Sequence, residues 1–237
     1  MQLTPTTGRA PNGSGRIVVA MTTTVVGLTM TVKLQGSAWW DCAASPPHGL
    51  ALAVWTGVAL AGARWVTLPL IGIVVAARCR HQHRLSPAVA GVALLLVVTV
   101  TVVTLKWLVG RAPPGALASR SLGTSFPSGH VVNAVVTWGI IAWAWRGSPR
   151  TAITLGAAAG AVVAIAVVAL GWHWTTDAAA GEALGVLLLT LWLPAAERLT
   201  PLHHSPSTPS RPPTNTTIDE EGSQVWRPST SRTPADH

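Results

Sequence analysis

Charged side chains are scarce in this sequence: Asp, Glu, Lys and Arg make up only 10% of its 237 residues. Hydrophobic residues make up 49%, and the mean hydropathy is +0.43. Several apolar runs approach the ~20 residues that a membrane-spanning helix needs. This composition excludes an ordinary water-soluble domain and predicts an all-α fold, a polytopic membrane helix bundle of about six transmembrane helices.

Cysteine and lysine are also rare. The chain has two cysteines, Cys42 and Cys79, and two lysines, Lys33 and Lys106. Two cysteines cannot build a metal cluster, and the topology predicted below puts them on opposite membrane faces, where no disulfide can join them. The net charge of +8 comes mostly from arginines in short loops and tails. In a membrane protein this distribution indicates topology, and no nucleic-acid partner is expected.

Three regions are predicted along the chain. Residues 1–15 are polar and predict a flexible cytoplasmic tail. Residues 16–196 predict a six-helix membrane domain, and residues 197–237, rich in Ser, Thr and Pro, predict a disordered cytoplasmic tail. The predicted spans are residues 17–34, 64–77, 86–105, 128–145, 152–170 and 178–193.

Two of these spans have alternative interpretations. The first also fits a cleaved signal peptide, because a basic start precedes its apolar core, but no clear small-x-small cleavage site follows. We therefore favour a retained anchor. The stretch 50–77 is interrupted by Arg64 and Pro69. It is either one long, kinked span or a short interfacial helix near 50–61 followed by a span near 64–77, and we favour the second.

Two short basic loops predict the orientation. Residues 78–84 and 146–150 are rich in arginine and lie between apolar runs. The positive-inside rule places both loops, and hence both termini, on the cytoplasmic side of a plasma membrane. Frequent Ala, Val and Arg indicate a GC-rich bacterial genome. Polar residues of three other loops then share the extracytoplasmic face: Lys106, Arg111, Ser128, His130, His173 and Asp177.

Cations in this outer layer indicate an anionic ligand. Ionisable side chains at membrane depth usually face a bundle interior or a cavity. Lys106 and Arg111 can neutralise phosphate oxygens, the arginine through a bidentate fork. Pro127 suits the turn before a helix, Ser128 suits its N-cap, and Gly129 lets a ligand approach the backbone. The unpaired N–H groups of that helix start would add donors for a phosphate.

Two histidines and a carboxylate complete the layer. One histidine can attack phosphorus while the other protonates the leaving alcohol. Asp177 follows His173 by four residues, so on a helix it would share a face with the imidazole and orient it. Taken alone, each residue also has a structural interpretation: a snorkelling lysine, an interfacial arginine, a histidine in an aromatic belt or a helix-capping aspartate. A weaker alternative is a zinc site of His130, His173 and Asp177, which the neighbouring cations disfavour.

At these residues the sequence resembles the type 2 phosphatidic acid phosphatase family, also called lipid phosphate phosphatases. The first family motif runs from a Lys to an Arg-Pro pair, the second is Pro-Ser-Gly-His, and the third runs from Ser-Arg to a His and then an Asp. The second motif is complete here, and the resemblance covers residues 50–193. The residues that carry it are Lys106, Gly110, Arg111, 126–130, 170–173, Thr176, Asp177 and Gly181.

The resemblance implies a role for each site residue. His173 would be the nucleophile that carries a phosphohistidine, Asp177 would orient it, and His130 would be the general acid. The residues expected to bind phosphate are Lys106, Arg111, Ser128 and Gly129. The family also implies a phosphorylated lipid as substrate and no metal or other cofactor.

Two family arginines are replaced. The arginine position of the first motif falls at Pro113, and Arg111, two residues earlier, is the predicted substitute. The Ser-Arg pair of the third motif falls at residues 166–167, Ala-Val, with no arginine nearby in the sequence. Loss of a charge-assisted contact in a dry site costs several kcal/mol of transition-state stabilisation. Two hypotheses follow: a phosphatase for a lipid phosphate or diphosphate at the extracytoplasmic face, or a weakened or inactive relative that binds phosphorylated lipid or acts as a membrane scaffold.

Overall fold

The computed structural model of the protein describes residues 13–36, 38, 40–42, 44–83, 86–114, 124–146 and 148–199. Regular structure in this part of the chain is entirely α-helical, as predicted. The helices are α1 (Gly13–Gln35), α2 (Gly49–Leu60), α3 (Arg64–Gln82), α4 (Ser86–Val109), α5 (Gly129–Arg146), α6 (Pro149–Ala169) and α7 (Thr175–Leu199). The first and last helices thus each extend three residues beyond the predicted membrane domain, and most of both predicted tails lies outside the described residues.

Four of the described helices, α1, α4, α6 and α7, are long and apolar enough to cross a membrane. The pair α2 and α3 forms a possible fifth span with a bend of 43°. The helix α5 has only 18 residues, and its side chains are mostly buried among the other helices. The membrane bundle is confirmed, and the predicted number of about six spans is approximate because the central helix is short and less apolar.

The stretch 50–77 contains a break between α2 and α3, as the favoured interpretation predicted. Gly62 lies in the break, and a Cβ atom there would overlap the carbonyl oxygen of His130. The close approach therefore requires glycine at this turn. Pro69 lies inside α3 and does not end it. The interfacial position of α2 stays a prediction.

The core of the bundle lies around α5, which packs chiefly against α6 and α7. Val132, Val135 and Leu189 are fully buried in its main apolar cluster. The helix α1 packs against α7, and its Val32 meets Phe126 and Ala180 in a smaller cluster. Burial of these aliphatic side chains fixes the positions at which α5 and α7 begin, and the candidate site lies there.

Candidate active site

A cavity of about 350 Å³ lies where α3 and α5 begin and α4 ends. Four of the seven predicted site residues line it: Lys106, Gly129, His130 and His173. The cavity also contains Arg64, the first residue of α3. The fold thus brings residues from four separate parts of the chain to one polar cavity, as the predicted outer layer requires.

His173 is positioned by the end of α6. Gly171 adopts the left-handed conformation with φ of +65°. The N–H of Gly171 donates to the Val168 carbonyl at 2.9 Å, and the N–H of Trp172 donates to the Val167 carbonyl at 2.9 Å. These two bonds form a Schellman motif, which satisfies carbonyls that a helix end leaves unpaired. The turn directs the chain from α6 to α7 and leaves the His173 residue 9% exposed.

The imidazole of His173 lies next to the carboxylate of Asp177. Its Nδ1 is 3.4 Å from Asp177 Oδ2, at the long limit of a hydrogen bond. The same oxygen accepts the backbone N–H of Trp174 at 3.1 Å. His173 precedes α7 instead of lying within it, so the pair meets across the helix N-terminus and not along a helical face. Asp177 therefore both caps α7 and contacts the histidine.

His130 is the second residue of α5 and faces the same cavity. Its ring centroid lies 6.4 Å from that of His173 and 5.7 Å from that of Trp172. The two histidines therefore line one polar space from different helix ends. A phosphoryl group bound there would be within reach of a nucleophile and a proton donor.

Ser128 occupies the predicted N-cap position but does not make the predicted bond. Its Oγ is buried and has no hydrogen-bond partner among the described residues. Its backbone N–H donates to the Asp177 carbonyl at 2.9 Å. The Ser128 N–H is thus engaged with α7, while Gly129 lines the cavity. Phosphate binding by this helix start stays a prediction.

The start of α5 lies close to α7 at Gly181. A Cβ atom at Gly181 would be 2.7 Å from the Ser128 carbonyl oxygen and 3.2 Å from Val131 Cβ. Glycine permits this approach because it has no side chain. Together with the Ser128–Asp177 backbone bond, the contact fixes the positions of His130 and Asp177 relative to each other.

Arg111 has different partners from the predicted phosphate. Its Nη1 donates to Asp177 Oδ1 at 2.9 Å and to Thr176 Oγ1 at 2.5 Å, and its Nη2 donates to Asp41. The guanidinium also lies over the Trp174 ring, 5.0 Å from its centroid. Arg111 is 9% exposed and is not among the described residues that line the cavity. The Arg111 guanidinium, which the sequence predicted to bind phosphate, is therefore paired with the buried carboxylates of Asp41 and Asp177.

Asp41 is a site residue that sequence reasoning missed. It lies between α1 and α2, and its carboxylate accepts the N–H of Thr176 and the hydroxyl of Thr175, each at 3.1 Å. Burial alone raises the pKa of Asp41, but hydrogen bonds from Arg111 and Thr176 outweigh burial and hold that pKa below its ordinary value. A signal existed in the sequence: Asp41 is the only acidic residue before Asp177.

Lys106 lies in the last turn of α4 and lines the cavity. Its Nζ donates to the Thr124 carbonyl at 2.5 Å and to the Ser125 carbonyl at 3.3 Å. An ammonium group has three donors, so one remains for a ligand. Lys106 therefore lines the cavity and also fixes the chain just before the Pro-Ser-Gly-His motif, and its role in phosphate binding stays a prediction.

The two replaced family positions have different surroundings. Pro113 lines the cavity. Val167 is completely buried and packs with Ala59 and Val163 in an apolar cluster. An arginine at position 167 would place a charge in that cluster, so the surroundings have adapted to the aliphatic residue.

Among the described residues, no group of three His, Cys, Asp or Glu side chains is arranged to hold a metal, and the zinc alternative gains no support.

Comparison with known proteins gave one family match and one structural match. Residues 87–201 match the model of the PAP2 superfamily. The structure resembles the crystal structure of a transmembrane PAP2-type phosphatidylglycerolphosphate phosphatase from Bacillus subtilis, with a TM-score of 0.52 and 23% sequence identity. The similarity covers 77% of this chain and 92% of that chain, and it shows a shared fold. Comparison with curated proteins gave no significant match.

Proposed function

We propose that the protein is a membrane phosphatase acting on a lipid phosphate or diphosphate through a phosphohistidine, because residues 87–201 match the PAP2 superfamily, as the motifs predicted. The observation that carries the proposal is the contact between His173 Nδ1 and Asp177 Oδ2, with His130 across the same cavity. The proposed reaction takes place at the extracytoplasmic face. It uses these three side chains and no metal.

In the first step, the lone pair on His173 Nε2 attacks phosphorus, because Nδ1 is held by Asp177. The bond between phosphorus and the lipid oxygen breaks, and His130 donates a proton to that oxygen. In the second step, water gives a proton to His130 and attacks phosphorus, and the phosphorus–nitrogen bond breaks. The products are inorganic phosphate and the lipid alcohol, or the lipid monophosphate when the substrate is a diphosphate, and both histidines return to their initial states.

Charges around the site support this division of roles. Attack by Nε2 places a positive charge on His173, which the Asp177 carboxylate stabilises. Arg111 and Trp174 hold that carboxylate in place through hydrogen bonds. Lys106 adds a positive charge for the phosphate oxygens. A phosphate bound in this cavity would therefore lie among Lys106, His130 and His173.

The proposal is tested by phosphate release from the purified full-length protein in detergent with chelator present. The substrates are phosphatidate, phosphatidylglycerol phosphate and a polyprenyl diphosphate. His173→Ala is expected to reduce kcat on the order of 10⁴-fold or more, since it removes the nucleophile. His81→Ala, at an exposed position away from the cavity, is the control and should match the wild type. An active His173→Ala protein overturns the mechanism.

The replaced arginines favour a second candidate function, binding of a phosphorylated lipid without hydrolysis. Pro113 at the cavity and the buried Val167 motivate it, because neither position supplies a cation. Absence of phosphate release from every substrate, with inorganic phosphate still bound, would support this candidate. Detection of a His173-dependent phosphoenzyme after quenching without acid would exclude it.

A further inference from the structure

A cation that none of the three motifs contains lies in the cavity with the two histidines. Arg64 begins α3 and lines the cavity together with Lys106. We propose that Arg64 binds the substrate phosphate jointly with Lys106 and so supplies a cation that the replaced motif positions lack. This inference rests on the proposed phosphate chemistry of the site and assigns a residue that the motifs do not predict.

The position of Arg64 is fixed by the break between α2 and α3. The N–H of Gly62 donates to the Ala59 carbonyl at 3.0 Å and closes the turn. Gly62 also lies directly against the backbone of His130, where no Cβ would fit. Ala63 is extended and accepts the N–H groups of Val66 and Thr67 at 2.9 Å, which starts α3. The turn before Arg64 therefore packs directly against the start of α5, which carries His130, the proposed general acid.

The charges at the cavity leave Arg64 available for an anion. Arg111 is engaged by Asp41 and Asp177, and Lys106 uses two of its donors on backbone carbonyls. The Arg64 guanidinium has no hydrogen bond or ion pair with any described residue. A phosphate monoester carries up to two negative charges near neutral pH. Lys106 and Arg64 together supply the two positive charges that balance it.

Another role for an arginine at a helix end is contact with lipid headgroups. Trp65, the next residue, is 67% exposed and is suited to that surface. Arg64 is exposed as well, but the cavity that it lines also contains His130 and His173. A planar guanidinium can bind two phosphate oxygens at once, which a headgroup anchor does not require. Binding of inorganic phosphate in detergent separates the two roles.

The test compares Arg64→Gln, Arg64→Lys and the wild type, with Lys33→Gln as a control cation outside the cavity. Two quantities are measured in detergent: kcat/KM for phosphatidate, and the dissociation constant of inorganic phosphate from its effect on thermal unfolding. Arg64→Gln is expected to lower kcat/KM and phosphate affinity by about 10- to 100-fold, the range for a hydrogen bond to a charged group. Arg64→Lys should retain part of both, because it keeps the charge and loses the fork. Lys33→Gln should match the wild type.

The outcomes separate this inference from the proposed function. A wild type that hydrolyses phosphatidate and an Arg64→Gln protein with unchanged kcat/KM and phosphate affinity would overturn the role of Arg64 alone. A wild type without hydrolysis would overturn the proposed function, and loss of phosphate binding in Arg64→Gln would still support the inference. If phosphatidate hydrolysis is also measured in liposomes and Arg64→Gln lowers it there while both detergent quantities stay unchanged, Arg64 is a headgroup contact and the inference is wrong. The unfolding temperature of the Arg64→Gln protein without phosphate is expected to equal that of the wild type, because the Arg64 side chain has no partner in the described residues to lose.

Discussion

Arg111 is the side chain that joins the two buried carboxylates of the site. Asp41 and Asp177 are 1% and 0% exposed, and each contacts one end of the guanidinium. Charges removed from water in this way depend on their partners, and loss of one partner of a buried pair typically costs about 3–5 kcal/mol. In the proposed mechanism, Arg111 would therefore be a positioning residue that holds Asp177 and, through it, His173.

We expect Arg111→Gln to lower the free energy of unfolding by about 3–5 kcal/mol, because two carboxylates lose their shared cation. Asp41→Asn should also destabilise the protein, and the double variant should be less destabilised than the sum of the single variants. Unfolding in detergent followed by circular dichroism measures this coupling. Arg150→Gln, at an exposed position, serves as control. Additive effects of the two substitutions would contradict the positioning role and return Arg111 to the predicted role in phosphate binding.

At the scale of residues, spacing predicted the contacts that are local in sequence. His173 and Asp177 are four residues apart, and the sequence alone indicated their contact. Asp41 contacts Arg111 and Thr176, which lie 70 and 135 positions away, and only the folded bundle brings them together. The same reason explains why Arg64 was predicted only as an interruption of an apolar run. The partners of Arg111 were not predicted, because Asp41 is distant in sequence and only the fold brings it next to Arg111 and Asp177.

At the scale of elements, the site depends on how the starts of α5 and α7 pack. The backbone bond from Ser128 to Asp177 joins them, and Gly181 allows α7 to lie against the Ser128 carbonyl. Both contacts involve the backbone, which cannot rotate away as a side chain can. Any atom added between the two helices therefore moves His130 relative to His173.

Gly181→Ala is expected to destabilise the protein by about 1–3 kcal/mol, the usual cost of overpacking. It should also lower kcat by about 100-fold, since a displacement near 1 Å at a catalytic pair has effects of that order. Thermal unfolding and phosphate release measure the two effects. Gly57→Ala is the matched control, because a Cβ atom at Gly57 has nothing within 4 Å. Equal activity of the two variants would show that the helix contact does not position the histidines.

The helices themselves were largely predictable, because their apolar runs are long. The predicted basic loops 78–84 and 146–150 are largely helical, because α3 continues to Gln82 and α6 already begins at Pro149. The break before Arg64 was favoured from the sequence. Membrane crossing by α5 was less predictable. Its apolar residues face other helices, so its length and hydropathy reflect packing against protein and not only the thickness of a bilayer. Hydropathy alone therefore gives an approximate number of spans.

At the scale of the whole molecule, the two ends of the bundle differ in chemistry. One end contains the cavity and the carboxylates, and the other contains Arg78, Arg80, Arg146 and Arg150. The positive-inside rule assigns the arginine-rich end to the cytoplasm. The proposed reaction would then take place outside, and its lipid substrate would be reached from the outer leaflet.

The two natural cysteines test this orientation. Cys42 is exposed and lies beside Thr175 at the cavity end, while Cys79 is half-buried near the arginine-rich end. In intact cells, a membrane-impermeant maleimide is expected to label the Cys79→Ser protein, which retains Cys42. It should label the Cys42→Ser protein only after permeabilisation. Labelling of Cys79 in intact cells would place the active cavity in the cytoplasm and reverse the predicted topology.

Hydrogen bonds between Ser125 and the Arg111–Ala112 segment join two parts of the chain on either side of residues 113–124. The Ser125 N–H donates to the Arg111 carbonyl at 2.7 Å, and its hydroxyl donates to the Ala112 carbonyl at 3.2 Å. The two ends of the intervening chain are thus joined independently of what lies between them. Arg111 and Ser125 therefore hold the end of α4 and the approach to α5 together through their own hydrogen bonds, so substitutions between Pro114 and Thr124 are expected to leave the cavity unchanged.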